Sequence, residues 1–283
     1  MAAANDRTEH VRAYLEYFRD MGVHEFYRNE TLGAVELPAE VETAAVVETV
    51  SLTLTEPPVT VLETLTPTEL NIANLVSFNN LAPMPLARVP AEQRAAALEA
   101  IRKDIGDCTR CPLAYAGRRS IVFANGDPNA RLMFVGEGPG ADEDAQGLPF
   151  VGKSGQLLNN MIGAMGLRRE DVYVANIVKC RPPANRAPEP VEANTCTQFL
   201  VRQMDVVQPE VVVALGATAA MYLLGVRQSL ASLRGRFHQV RGAKCAITYH
   251  PAFLLRDPTK KADAWKDLQM VMGEMGLKAE KRE

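Results

Sequence analysis

Residues 136–155 read GEGPGADEDAQGLPFVGKSG: six glycines in twenty positions, directly after the apolar run RLMFV and interleaved with Glu137, Asp142, Glu143 and Asp144. Glycine-rich turns that follow a strand often cradle phosphate on bare backbone N–H groups. This one is acidic, and its carboxylates would repel a nucleotide triphosphate. Its glycines let backbone approach a ligand closely, and that ligand is not one dense in negative charge.

The cysteines form a second group. Cys108 and Cys111 stand in CTRC with two residues between them, and fifteen residues separate Cys180 from Cys196. Four thiolates can hold tetrahedral zinc or a [4Fe-4S] cluster, and the first pair suits either. The second pair is wider than the tight pair that usually closes a zinc knuckle, whereas a cuboidal cluster can draw ligands from distant segments. The plain alternative makes Cys180 and Cys196 small buried residues. Cys245, inside an apolar strand pattern, is read as core.

Such groups need a scaffold. After PAEQRAAALEAIRKDI, a helical pattern, the chain alternates apolar runs with helical ones. Strands are expected at 131–136, 172–178, 210–216 and 244–250, with helices in SGQLLNNMIGAMG, EPVEANTCTQFLVRQMDVV and ATAAMYLLG. Continuously apolar strands alternating with helices predict a parallel sheet covered on both faces. Ligands of such sheets collect beyond the carboxyl ends of the strands. Three of the four ends carry Glu137, Asn176 and His250, and their convergence on one rim is a stronger signal than any one of them.

The chain has 283 residues, 47% of them hydrophobic, enough to bury one sizeable core or two small ones. No apolar stretch reaches the roughly 18 residues of a membrane span, and the first ten residues lack a signal-peptide pattern. The expectation is a cytoplasmic protein with no membrane partner, its five cysteines kept reduced. Net charge is −3, but unevenly spread. Residues 29–87 hold eight Glu and no Lys or Arg, while residues 88–283 hold 27 Lys and Arg against 21 Asp and Glu. A modestly basic body is compatible with phosphate-backbone contacts. Val11, Tyr14, Leu15 and Phe18 recur at helical spacing ahead of Gly22. The expected organisation is therefore an N-terminal amphipathic helix within 1–28, an acidic linker over 29–95 that is a candidate site for a protein partner, and a domain over 96–283.

From about Gly106 to Leu277 the chain resembles the family 4 uracil-DNA glycosylases, which carry an iron-sulfur cluster. The resemblance rests on CTRCPL, GEGPGADEDAQGLPFVGKSGQLL, YVANIVKCRPPANRAPEP, LRGRFH and TYHPAFLLR, in that order. It implies an α/β fold, a three-layer α/β/α sandwich around a four-stranded parallel sheet. It also implies a [4Fe-4S] cluster held by Cys108, Cys111, Cys180 and Cys196. The activity implied is hydrolysis of the N-glycosidic bond of deoxyuridine, in single- or double-stranded DNA, by a monomer. In a related group that binds uracil-DNA covalently, an insertion ending in a reactive His follows the Asn-bearing strand. The matching KCRPPANRAP has no His, which implies turnover.

By the same resemblance Glu137 and His250 are catalytic: the carboxylate suits an incipient oxocarbenium ion and the attacking water, and the imidazole donates to uracil O2. Gly138, Glu143, Phe150 and Asn176 surround the base. Phe150 stacks on it, and Glu143 stands near C5, where thymine carries its methyl. A fixed Asn176 amide would accept from uracil N3–H and donate to O4, leaving cytosine mispaired. Arg181, Arg186 and Arg256 are expected at the DNA backbone, with Leu254 and Leu255 as apolar wedges. The rival from another class is a non-catalytic iron-sulfur protein that binds DNA or senses redox state on the same scaffold.

Overall fold

The computed structural model describes Leu75, residues 77–85 and residues 87–278. The expected N-terminal helix and most of the expected acidic linker lie outside the described residues.

In chain order the elements are α1 (Phe78–Leu81), α2 (Ala91–Ile105), β1 (Asn125–Gly126), β2 (Leu132–Gly136), α3 (Ala141–Gln146), α4 (Lys153–Ala164), β3 (Tyr173–Asn176) and α5 (Pro190–Val207). There follow β4 (Val211–Leu215), α6 (Ala217–Leu224), α7 (Leu230–Leu233), β5 (His238–Val240), β6 (Ala243–Thr248), α8 (Pro251–Arg256) and α9 (Lys261–Met275). Each expected strand exists; the first three are trimmed by a residue or two, and the fourth starts one residue earlier and ends two residues sooner than expected.

Strand order is β1-β3-β2-β4-β6-β5. The inner four run parallel, with Val135 level with Ala175 on one side and Ala214 on the other. The edge strands β1 and β5 add antiparallel. The sheet thus has six strands, not the expected four. The two extra strands are two and three residues long, Asn-Gly and His-Gln-Val, too short and polar to register as apolar runs.

Every residue of β2, β3 and β4 is buried, because side chains alternate between two covered faces. Met133, Val135, Ala175, Val212 and Ala214 pack with Leu98, Ile101, Phe199 and Leu223 of α2, α5 and α6. Leu132, Phe134, Val174, Val211 and Val213 pack with Leu158, Ile162, Leu268 and Val271 of α4 and α9. No helix among the described residues is long and apolar enough to cross a membrane.

Packed chain begins ahead of residue 96. Phe78 is fully buried in the core. Arg241, itself buried with φ 47°, donates to the carbonyls of Phe78, Ala82 and Pro83 and pairs with Asp205 at 2.7 Å. Arg241→Met would leave Asp205 unpaired and three carbonyls unbonded. It should cost about 3 kcal/mol, a fall of roughly 6–12 °C in the thermal midpoint of the purified protein.

Candidate active site

Chain order across the sheet reverses at β2, with β3 on one side and β4 on the other. Such a switch point opens a crevice beyond the strand ends. A cleft of about 390 Å³ lies there, and Glu137, Gly138, Glu143, Phe150, Asn176 and His250 all contribute to its wall. Glu137 follows β2, Asn176 ends β3, and His250 caps the start of α8 beyond β6. The structure therefore brings together the three strand-end residues singled out from sequence.

Their meeting depends on missing side chains. A Cβ on Gly136 would sit 2.5 Å from Asn176 Oδ1 and 2.6 Å from Phe150 Cζ, so only glycine lets the amide and the ring close over that strand end. At Gly138 a Cβ would meet Val178 at 2.7 Å. The Phe150 and His250 rings lie 5.6 Å apart, tilted by 33°.

Asn176 is 2% exposed and its Oδ1 has no hydrogen-bond partner. A buried acceptor left unbonded costs about 1–3 kcal/mol. A ligand that brings an N–H donor into the cleft would offset that cost.

Phe150 has φ 56°, a region bulky residues avoid. Its neighbours hold it there. Arg169 donates to the Pro149 carbonyl at 3.2 Å on one side. On the other, the N–H groups of Val151 and Gly152 donate to Glu143 at 2.9 and 3.0 Å. Gly155 is required beneath, because a Cβ there would overlap the Phe150 carbonyl. Burial lowers the Arg169 pKa to about 10, which leaves it charged at neutral pH.

Glu143 also accepts from Gly140 N–H at 3.1 Å, so one carboxylate closes three backbone donors of the glycine-rich stretch. Residues 147–154, GLPFVGKS, match the spacing of a phosphate-binding loop. Two of the N–H groups that would hold such a phosphate already hold Glu143. Asp144 works in parallel, accepting from the N–H groups of Arg119 and Ser120. The acidity of the stretch thus supplies its own anions.

His250 Nδ1 accepts from Ala252 N–H at 3.1 Å, which puts the ring proton on Nε2. Burial, then the charge of Arg256, lower its pKa to about 4, against an opposing pull from Glu143. At neutral pH it is an uncharged Nε2–H donor on the cleft.

The outer residues divide. Leu255 is 44% exposed, but Leu254, the residue before it on α8, is buried and serves packing rather than the wedge expected of it. Arg256 is exposed at the cleft rim. Arg186 reaches the cleft wall with its guanidinium committed to buried Glu192, at 2.7 and 2.8 Å, which holds the Glu192 carboxyl below its usual range. Arg181 donates to Asn185 Oδ1 at 2.8 Å. Ala184 and Asn185, with φ 52° and 55°, make this a second strained turn on the cleft. Ser154, Asn185 and Phe253 also line the cleft and were not foreseen, since nothing in their spacing marks them.

Cys108, Cys111, Cys180 and Cys196 share a separate small cavity with Arg118, Lys179 and Phe199. Among the described residues no three His, Cys, Asp or Glu are gathered closely enough for a single metal ion. Donors face the sulfurs: Arg118 lies 3.2 Å from Cys180 Sγ, the Lys179 N–H 3.3 Å from Cys196 Sγ, and Arg110 3.8 Å from Cys108 Sγ. Cys245 is fully buried in β6, as core.

The His250 ring offers a direct check. Nitrogen NMR should find it neutral, with the proton on Nε2, down to about pH 5 and protonating near pH 4; a midpoint near 6.5 would reject the assignment. Between those values the unfolded chain binds the extra proton, so stability should fall as pH drops from about 6.5 towards 4.

The sequence model of the Uracil DNA glycosylase superfamily matches residues 123–269. The type-4 uracil-DNA glycosylase of Thermotoga maritima is 44% identical over 162 residues, 56% of this chain and 84% of that protein. That of Pyrobaculum aerophilum is 41% identical over 184 residues, 62% of this chain and 93% of that protein. A type-5 uracil-DNA glycosylase of Pyrobaculum aerophilum is 31% identical over 179 residues, 52% of this chain and 78% of that protein.

Proposed function

The chain belongs to the uracil-DNA glycosylase superfamily, and within it to the type-4 enzymes. From that premise we propose that it hydrolyses the N-glycosidic bond of deoxyuridine in DNA, single- or double-stranded, releasing uracil for base excision repair. The observation that carries this reading is the buried Asn176 carboxamide with an unbonded Oδ1.

A base inside a duplex is out of reach, so the nucleotide is extruded into a pocket. Uracil entering the cleft offers N3–H to Asn176 Oδ1, and the amide N–H answers O4. Cytosine, with a bare N3 and an amino group, leaves both unpaired. Phe150 stacks on the ring. As the glycosidic bond stretches, positive charge grows on the sugar and negative charge on uracil. Glu137 stabilises the sugar cation and orients water. His250 donates its Nε2–H to uracil O2, a neutral donor that needs no proton transfer to bind the developing oxyanion. Glu143, held by three backbone N–H groups, stiffens the wall beside C5. Leu255 fills the vacated stack, and Arg256, with Arg181, contacts phosphate.

The four thiols fit a [4Fe-4S] cluster better than zinc. A single zinc with bonds of about 2.3 Å would need sulfurs roughly 3.8 Å apart, whereas a cuboidal cluster carries its thiolates on spread corners, and N–H donors suit their negative charge. Cys108, Cys111, Cys180 and Cys196 would hold it. Hydrolysis moves no electrons, so when bound the cluster supplies a crosslink that fixes the turn leading to Arg181. The reducing conditions that keep such thiols available support a cytoplasmic setting.

Purified protein should release free uracil from uracil-containing oligonucleotides without added metal. Asn176→Ala and His250→Ala should each slow release by about 10²–10³, the usual cost of one such donor or acceptor, while DNA binding persists. DNA binding without base release would favour the non-catalytic rival. Iron and acid-labile sulfide at about four each per chain, lost in Cys196→Ser, would support the cluster; zinc in their place would reject it.

A further inference from the structure

Lys179 is 1% exposed in the turn between Asn176 and Cys180, and no step above uses it. Its Nζ donates to the Asn176 carbonyl at 3.0 Å and to Gln203 Oε1 at 2.7 Å. Both acceptors are neutral, and the charge that favours its ammonium is that of Cys196, across the cavity of the four thiols. Gln203 is itself anchored, donating to the Phe123 carbonyl and the Tyr173 hydroxyl, each at 3.3 Å. The Lys179 backbone is pinned as well: its carbonyl accepts from Val122 N–H at 2.8 Å, and its N–H faces Cys196 Sγ.

Asn176 Oδ1 has no partner of its own, so that end of the amide is not held from its tip. Its direction is inherited from the backbone, and the Asn176 carbonyl is what Lys179 grips. We infer that Lys179 is a positioning residue for base recognition, holding the Asn176 peptide so that the carboxamide meets uracil in one orientation. The inference rests on the uracil-releasing reading and goes beyond it, tying the buried lysine and Gln203 to selectivity.

The test is a double-mutant cycle on full-length, cluster-bearing protein, with single-turnover and steady-state rates on uracil-containing DNA. Lys179→Met should lower kcat about 10- to 100-fold with KM and the visible absorbance unchanged, since contacts to the DNA backbone are untouched. In an Asn176→Ala background the same change should slow release no further. Multiplying effects would mean Lys179 acts elsewhere, and a wild-type rate for Lys179→Met alone would overturn the inference while leaving the proposed function intact. Asn176→Ala at full rate would overturn both. Should Lys179→Met not fold, Gln203→Met takes its place: a several-fold loss confined to kcat and silent beside Asn176→Ala supports the inference, and an unchanged kcat overturns it.

Discussion

One buried carboxylate organises the cleft. Glu143 collects the N–H groups of Gly140, Val151 and Gly152, residues spread over the thirteen positions from the cap of α3 to the cap of α4. Charge-assisted bonds of this kind are among the stronger ones a protein makes. Here they replace the anion that a glycine-rich turn would otherwise recruit from solution. The same bonds grip the chain immediately after Phe150 and so help keep a bulky residue in left-handed backbone. Strain of this kind persists only when surroundings over-determine it, and here Arg169, Gly155 and Glu143 do so from three directions.

The second constraint is steric. Gly136 ends β2 where the strand order reverses, and the space left by its missing Cβ is shared by the Asn176 amide and the Phe150 ring. A sheet brings strand ends to one rim but leaves them about 4.8 Å apart. Convergence on one small base needs something shorter in between. Gly216, with φ 90°, does the same beside His250, whose Cβ lies 3.0 Å from where a Gly216 Cβ would be.

Charge is distributed by role. Arg241 and Arg186 are tied to acidic partners and hold the fold and the cleft wall, whereas Arg256 stands free at the rim, where it also lowers the His250 pKa. Each such pair takes one cation and one anion out of play, so the net basic excess of the domain is unchanged while the arginines left to meet DNA are fewer than composition alone suggests.

Much of this was present in the chain order of residue types. Apolar runs free of polar alternation mark strands buried on both faces, and that is a local property of composition. Gly136, Glu137, Asn176 and His250 sit at the ends of those runs, so their shared rim follows from the parallel sheet alone. The edge strands could not be read this way, since Asn125–Gly126 and His238–Val240 become strands only because a neighbour offers unpaired backbone. Which of Leu254 and Leu255 faces solvent, that Arg186 is committed to Glu192, that His250 is neutral, and that Lys179 lies beneath Asn176 are all matters of what stands opposite in space. Pattern along the chain reports whether a side chain prefers burial. Its partners come from segments tens of residues away, and only the folded structure brings those partners within bonding distance.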